Sequence, residues 1–113
     1  MERLRVLFVC ALNQWRSPTA EALYRNDARL EVRSAGIRSG AKRRLSRRDL
    51  ECAQVVFAME REHRTWIQEN FREVALPPLV TLDIPDDLSY MDPELQRLLQ
   101  AAIDPEIRAL LSG

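Results

Sequence analysis

The distribution of apolar positions sets the first expectations. RVLFVC, from Arg5 to Cys10, is an unbroken apolar and β-branched run, as expected of a strand buried on both faces. SPTAEALYRNDAR, from Ser17 to about Arg29, predicts a helix, with Ser17 as N-cap, Pro18 at the first helical position and Glu21 in the first turn. Leu30 to Ala35 alternates and is broken by Gly36, which predicts a second strand. Ser46-Arg47-Arg48-Asp49 reads as a helix entry with a short-armed capping box. QVVFAM, Gln54 to Met59, predicts a third strand. Glu60 to Phe71 predicts a mostly polar helix that makes its apolar contacts through Trp66, Ile67 and Phe71. LVTLDI, Leu79 to Ile84, predicts a fourth strand, and Pro85 to Met91 a loop. Asp92 then caps a helix beginning at Pro93, which Asp104-Pro105 either kinks or ends in a final turn. Four rounds of strand and helix predict an α/β fold, an open four-stranded parallel sheet with helices on both faces.

The length of 113 residues, 46% of them hydrophobic, suits one domain over residues 1–113. Seventeen basic residues balance seventeen acidic ones, so net charge indicates neither a nucleic-acid nor a membrane partner. The distribution is uneven: Arg38, Lys42, Arg43, Arg44, Arg47 and Arg48 form a basic stretch without an acid, and Leu82 to Glu106 is acidic. No run of 18 apolar residues occurs and the strand pattern begins directly after Met-Glu-Arg, which predicts a cytoplasmic protein without a signal peptide. Two cysteines, Cys10 and Cys52, are too few for a disulfide framework, and a single histidine, His63, argues against a metal site.

Candidate chemistry concentrates in FVCALNQWRSP, Phe8 to Pro18, where a strand ends on Cys10 and a helix starts behind Arg16. A loop between strand and helix turns its backbone N–H groups and the positive end of the helix dipole toward an anion, and the same field stabilises a thiolate. Residues Ala11, Leu12, Asn13, Gln14, Trp15, Arg16 and Ser17 are thus the expected phosphate-binding segment, with phosphate or sulfate as the expected ion. Arg16 offers a planar fork for two equatorial oxygens, Ser17 a hydrogen bond to the sulfur, and Asn13 suits a left-handed turn in mid-loop.

The string resembles the signature of the low-molecular-weight protein tyrosine phosphatases, matching it at Val9, Cys10, Asn13, Arg16, Ser17 and Pro18 and continuing into TAEALYR. Ser34-Ala35-Gly36, LSRRDLECA (Leu45 to Ala53), FAMEREH (Phe57 to His63) and IPDD (Ile84 to Asp87) are further echoes in the same order. The resemblance implies a flavodoxin-like sheet and phosphomonoester hydrolysis through a cysteinyl phosphate, with Cys10 as nucleophile, Arg16 as transition-state clamp, and no metal or organic cofactor. The substrate it implies is a phosphotyrosine protein or a small phosphomonoester. It places the general acid in the loop before the last helix, which points to Asp86, with Asp87 second and Asp92 reserved for the helix cap. Ser34 is implied to support the loop from the neighbouring strand.

This chain departs from the family pattern at Leu12, where relatives carry glycine, and at Trp15, often a second cysteine. It is also short between Gly36 and Lys42, where relatives place an aromatic wall of the phosphotyrosine pocket. The expected site is therefore shallow, with Tyr90 a candidate to rebuild that wall. Two other functions stay open at this point: arsenate reduction, which would need further thiols beside Cys52, and a catalytically inactive module that binds a phosphorylated partner. His63 is expected on the surface, and Cys52, Met59 and Trp66 in the core or at its edge.

Overall fold

The structure, a computed structural model, describes residues 2–112. In chain order its elements are β1 (Leu4–Cys10), α1 (Arg16–Tyr24), β2 (Leu30–Gly36), α2 (Arg47–Cys52), β3 (Val55–Ala58), α3 (Arg61–Asn70), β4 (Leu79–Thr81) and α4 (Pro93–Ser112). The strands form one parallel sheet in the order β2-β1-β3-β4, the open parallel sheet that the alternation predicts and the flavodoxin-like arrangement that the resemblance implies. No helix among the described residues is long and apolar enough to cross a membrane.

Side chains alternate across a strand, so the continuous apolar run of β1 serves two cores. Val6, Phe8 and Cys10 join Ala20 and Tyr24 of α1 and Leu95, Leu99, Ile103 and Ile107 of α4 on one face. Leu7 and Val9 join Leu50 of α2 and Ile67 of α3 on the other. The four α4 residues repeat every fourth position and are almost wholly buried, each contributing about 1.5–3 kcal/mol relative to exposure. That stripe keeps α4 helical past Pro105, so no separate final turn begins there.

Several boundaries differ from the sequence pattern for local reasons. Helix α1 stops at Tyr24 and not near Arg29, because the Asp27 carboxylate accepts the backbone N–H of Arg29 at 2.9 Å and closes an Asx turn. Its N-cap is Trp15 and not Ser17, and Glu21 accordingly lies past the first turn. Strand β4 ends at Thr81, short of Ile84, and Asp83 just beyond it adopts φ 57°. The capping box at Ser46 and Asp49 forms as expected, with Ser46 N–H to Asp49 Oδ2 at 2.9 Å and Asp49 N–H to Ser46 Oγ at 3.3 Å. Asp92 likewise caps α4, accepting the Glu94 N–H at 2.8 Å.

The carboxyl ends of β1 and β2 meet at Gly36. A Cβ there would lie 2.7 Å from the Ala11 carbonyl oxygen, 2.7 Å from the Ala41 Cβ and 2.9 Å from the Asn13 nitrogen. Two of these are backbone atoms with no rotamer to give, so only glycine lets the loop after β1 settle against β2. Gly36→Ala is expected to cost about 1–3 kcal/mol, as overpacking does, measured by denaturant unfolding.

Candidate active site

Three consecutive carbonyls of the loop after β1 are taken from behind. Ile37 N–H donates to Cys10 O at 3.1 Å, Arg38 N–H to Ala11 O at 3.0 Å and Lys42 N–H to Leu12 O at 3.0 Å. The backbone N–H groups of Leu12, Asn13, Gln14 and Trp15 donate to no group among the described residues. With its acceptors consumed and its donors free, the loop can receive an anion. Asn13 turns it with φ 55°, the left-handed conformation expected of that residue.

Cys10 is buried, and Ser17 Oγ lies 2.9 Å from its sulfur. Freed from the N-cap role, Ser17 is tied instead to Asn13, whose Nδ2 donates to Ser17 Oγ at 2.9 Å and to Ser34 Oγ at 3.0 Å. The Ser34 hydroxyl donates to Glu21 Oε1 at 2.6 Å. Ser34 therefore reaches the loop through Asn13, from the strand and in the manner the sequence resemblance implies.

Arg16 begins α1, and its side chain is only 2% exposed. A guanidinium taken out of water needs partners on every side. Here Nη1 donates to a carboxylate oxygen of Glu60 and to the Ile84 carbonyl at 3.0 Å, and Nη2 lies 3.3 Å from Asp86 Oδ1. The hydrogen bond from Arg16 holds the Glu60 carboxyl below its ordinary pKa.

Glu60 sits just after β3, before the first turn of α3, and the sequence reading missed it. Its acidic character at a strand's carboxyl end, level with the Cys10 terminus of β1, was the available signal. His63 corrects an expectation outright: it is 1% exposed and not a surface residue. Its Nδ1 accepts the Glu60 N–H at 3.2 Å, and burial followed by the neighbouring Arg16 pushes its pKa down.

Cys10, Ala11, Leu12, Gln14, Trp15, Arg16 and Asp86 line a single cavity of about 240 Å³. Of the aspartates Asp83, Asp86, Asp87 and Asp92, Asp86 alone lines it; Asp92 is engaged at the α4 cap. Asp87 is exposed and outside that lining, as is Asp83. Leu12 and Trp15 are large apolar side chains left 38% and 42% exposed at the rim. Tyr90 lies instead in an adjoining cavity with Asn13, Gln14, Trp15, Pro18, Glu21, Ser34 and Lys42, so it does not wall the Cys10 cavity as suggested from sequence. Of the basic stretch, Arg38 pairs with Glu62 at 3.1 Å, Arg43 with Asp49 at 2.5 Å and Arg47 with Glu51 at 2.9 Å.

Residues 5–55 match the family model described as low molecular weight phosphotyrosine protein phosphatase. Among solved structures, YfkJ from Bacillus subtilis is similar at 21% identity and TM-score 0.76, the alignment covering 99% of this chain and 97% of that one. The YwlE arginine phosphatase from Geobacillus stearothermophilus is similar at 26% identity and TM-score 0.71, with 97% of each chain covered. Wzb from Vibrio vulnificus, in a complex with benzylphosphonate, is similar at 19% identity and TM-score 0.76, with 96% and 99% covered. No curated protein sequence matches this chain.

The burial of His63 predicts a pH dependence of stability. Its native pKa lies below its ordinary 6.5, so below that pH the unfolded chain binds the proton that the native fold resists, and stability falls with falling pH. Urea midpoints measured from pH 7.5 down to pH 5 should drop more steeply for the wild type than for His63→Gln, and the difference should open below about pH 6.5. Parallel curves would remove His63 as the source.

Proposed function

We propose that the chain, whose residues 5–55 match the model of the low molecular weight phosphotyrosine protein phosphatases, hydrolyses phosphate monoesters through a phosphorylated Cys10. The observation that carries this reading is the convergence of Cys10, Arg16 and Asp86 on one cavity floored by unpartnered loop N–H groups.

In the first step the Cys10 thiolate attacks phosphorus in line. The S–P bond forms as the P–O bond to the leaving group breaks, and Asp86 delivers its proton to the departing oxygen. Charge spreading over the three equatorial oxygens meets the loop N–H groups and Arg16, whose fork binds two of them when it swings from its resting carboxylates. In the second step Asp86 takes a proton from water, whose oxygen attacks phosphorus, and the S–P bond breaks to regenerate the thiolate. The Ser17 hydroxyl, 2.9 Å from the sulfur, stabilises the leaving thiolate.

The substrate is a phosphomonoester on a small aryl or apolar group. Leu12 and Trp15 supply apolar walls from the loop itself, and the cavity is small. The benzylphosphonate complex of the Vibrio relative supports a phosphate-like occupant with an aromatic substituent. The enzyme works in the cytoplasm, where reducing conditions keep Cys10 a thiol. Arsenate reduction is not favoured. The Cys52 carbonyl accepts from Arg5 Nε at 2.5 Å, and Arg5 precedes Cys10 by five strand residues, roughly 16 Å, too far for a thiol relay.

A panel of aryl phosphates, phosphotyrosine and phosphoserine peptides and phosphoarginine tests the reading. Cys10→Ser should abolish turnover and still bind vanadate, while Cys52→Ser stays within a few-fold of wild type. Turnover that survives in Cys10→Ser sinks the mechanism, and no turnover of any substrate by the wild type leaves the binding-module alternative.

The general acid is tested separately, by comparing leaving groups. Asp86→Asn should slow an alkyl phosphate by about 10²-fold or more while p-nitrophenyl phosphate, whose leaving group needs no proton, suffers far less. The same dependence arising in Asp87→Asn and absent from Asp86→Asn would move the role one residue along.

A further inference from the structure

Five side chains run from the surface of α1 to the nucleophile: Glu21, Ser34, Asn13, Ser17 and Cys10, with every link at 2.6–3.0 Å. Three of these groups have no fixed polarity. A serine hydroxyl donates or accepts, and an asparagine amide presents either its NH₂ or its oxygen in the same place. Glu21 alone keeps one polarity through the whole cycle, because an ionised carboxylate only accepts, whereas the Cys10 sulfur is a strong acceptor as a thiolate and loses that character while it carries the phosphoryl group.

We propose that Glu21 is a positioning residue that sets the direction of every proton in this chain and so aims the Ser17 hydroxyl at the Cys10 sulfur. The inference rests on the phosphatase reading for its kinetic consequence. Its structural part stands without turnover.

The Ser34 proton is committed to Glu21, so Ser34 Oγ faces Asn13 with lone pairs only. An Asn13 amide turned the other way would set its own oxygen against those lone pairs. The NH₂ orientation is therefore selected, and its second hydrogen goes to Ser17 Oγ. With its oxygen occupied as an acceptor from Asn13, Ser17 keeps its hydrogen for the sulfur.

Were Glu21 able to donate, Ser34 could give its proton to an inverted Asn13. Ser17 would then also donate to the Asn13 oxygen, and Cys10 would lose its hydrogen bond. The thiolate would be a poorer leaving group when the phosphocysteine is hydrolysed, with substrate binding left to the loop and Arg16. The effect should thus fall on kcat and leave KM nearly unchanged.

The test uses Glu21→Gln, close in shape but able to donate, alone and combined with Ser34→Ala, which severs the chain. Two readouts apply: steady-state kinetics with p-nitrophenyl phosphate, and nitrogen-edited NMR of the Asn13 side-chain NH₂ in the unliganded protein. Glu21→Gln should lower kcat by about tenfold or more, the scale of one hydrogen bond to a charged group, and speed the exchange of the Asn13 NH₂ protons with water. On a Ser34→Ala background the same substitution should change neither.

Two results would overturn the proposal: unaltered Asn13 NH₂ exchange in Glu21→Gln, or an equal loss of kcat with and without Ser34. Should Glu21→Gln fold poorly, Ser34→Ala alone must still accelerate Asn13 exchange, and its failure to do so also overturns the proposal. Absence of turnover in the wild type would count against the phosphatase reading only, and the NMR comparison would then decide the direction of the chain.

Discussion

Everything at the carboxyl edge of the sheet depends on how β1 hands its backbone to the loop that follows. A parallel ladder would normally stop at Cys10, yet the segment after β2 keeps donating to the Cys10, Ala11 and Leu12 carbonyls. Those bonds hold the acceptors on one side of the loop and leave its N–H groups without competition from the chain's own oxygens. Gly36 makes the close approach possible, and Asn13 supplies the single left-handed residue that the reversal needs. The cradle is thus an extension of strand pairing, and it inherits the rigidity of the central strand.

The second demand is electrostatic. A guanidinium as buried as Arg16 would be very costly unpaired, and its partners come from two other strand ends. Glu60 follows β3, and the Ile84 carbonyl and Asp86 follow β4. A parallel sheet brings these ends together at one edge, so residues up to 70 positions apart in sequence share one charge-balanced site. The arginine rests against carboxylates, and in the proposed reading an arriving phosphate dianion competes with them for the same fork. Positioning and binding are therefore in tension. Asp86, the more exposed of the two partners, is the one placed to yield.

Much of this was legible in the sequence, for reasons that differ from residue to residue. The strand RVLFVC and the Cys-x5-Arg-Ser-Pro string encode themselves locally, through apolar continuity and through a proline that marks a helix start. Asp86 was reachable because it lies in a loop, and Asp92 announces itself as a cap by the proline behind it. The role of Ser17 was misread in one respect. Its pairing with Pro18 has the signature of an N-cap, but the anion loop draws the helix start back to Arg16 and gives the hydroxyl to the sulfur. Glu60 left only a weak signal, its acidity at a strand's carboxyl end, and the pairing of Glu21 with Ser34 and the burial of His63 left none, because Arg16 and Ser34 come from other elements. A polar helix pattern places His63 outside, and nothing in EREH says that its N-terminal turn faces a buried arginine.

The short connection from Gly36 to Lys42 spends its residues backing the phosphate loop, with the donors Ile37, Arg38 and Lys42 all aimed at it. It has no length left to rise over the cavity and form a wall. The apolar side chains at the cavity rim come instead from the loop after β1 itself, through Leu12 and Trp15. In the proposed phosphatase reading, cradle and wall on one segment tie catalysis to specificity. A substitution at either rim residue that reshapes the wall also strains the N–H groups beneath it, and this chain has less freedom to change substrate than one whose wall is carried on a separate loop.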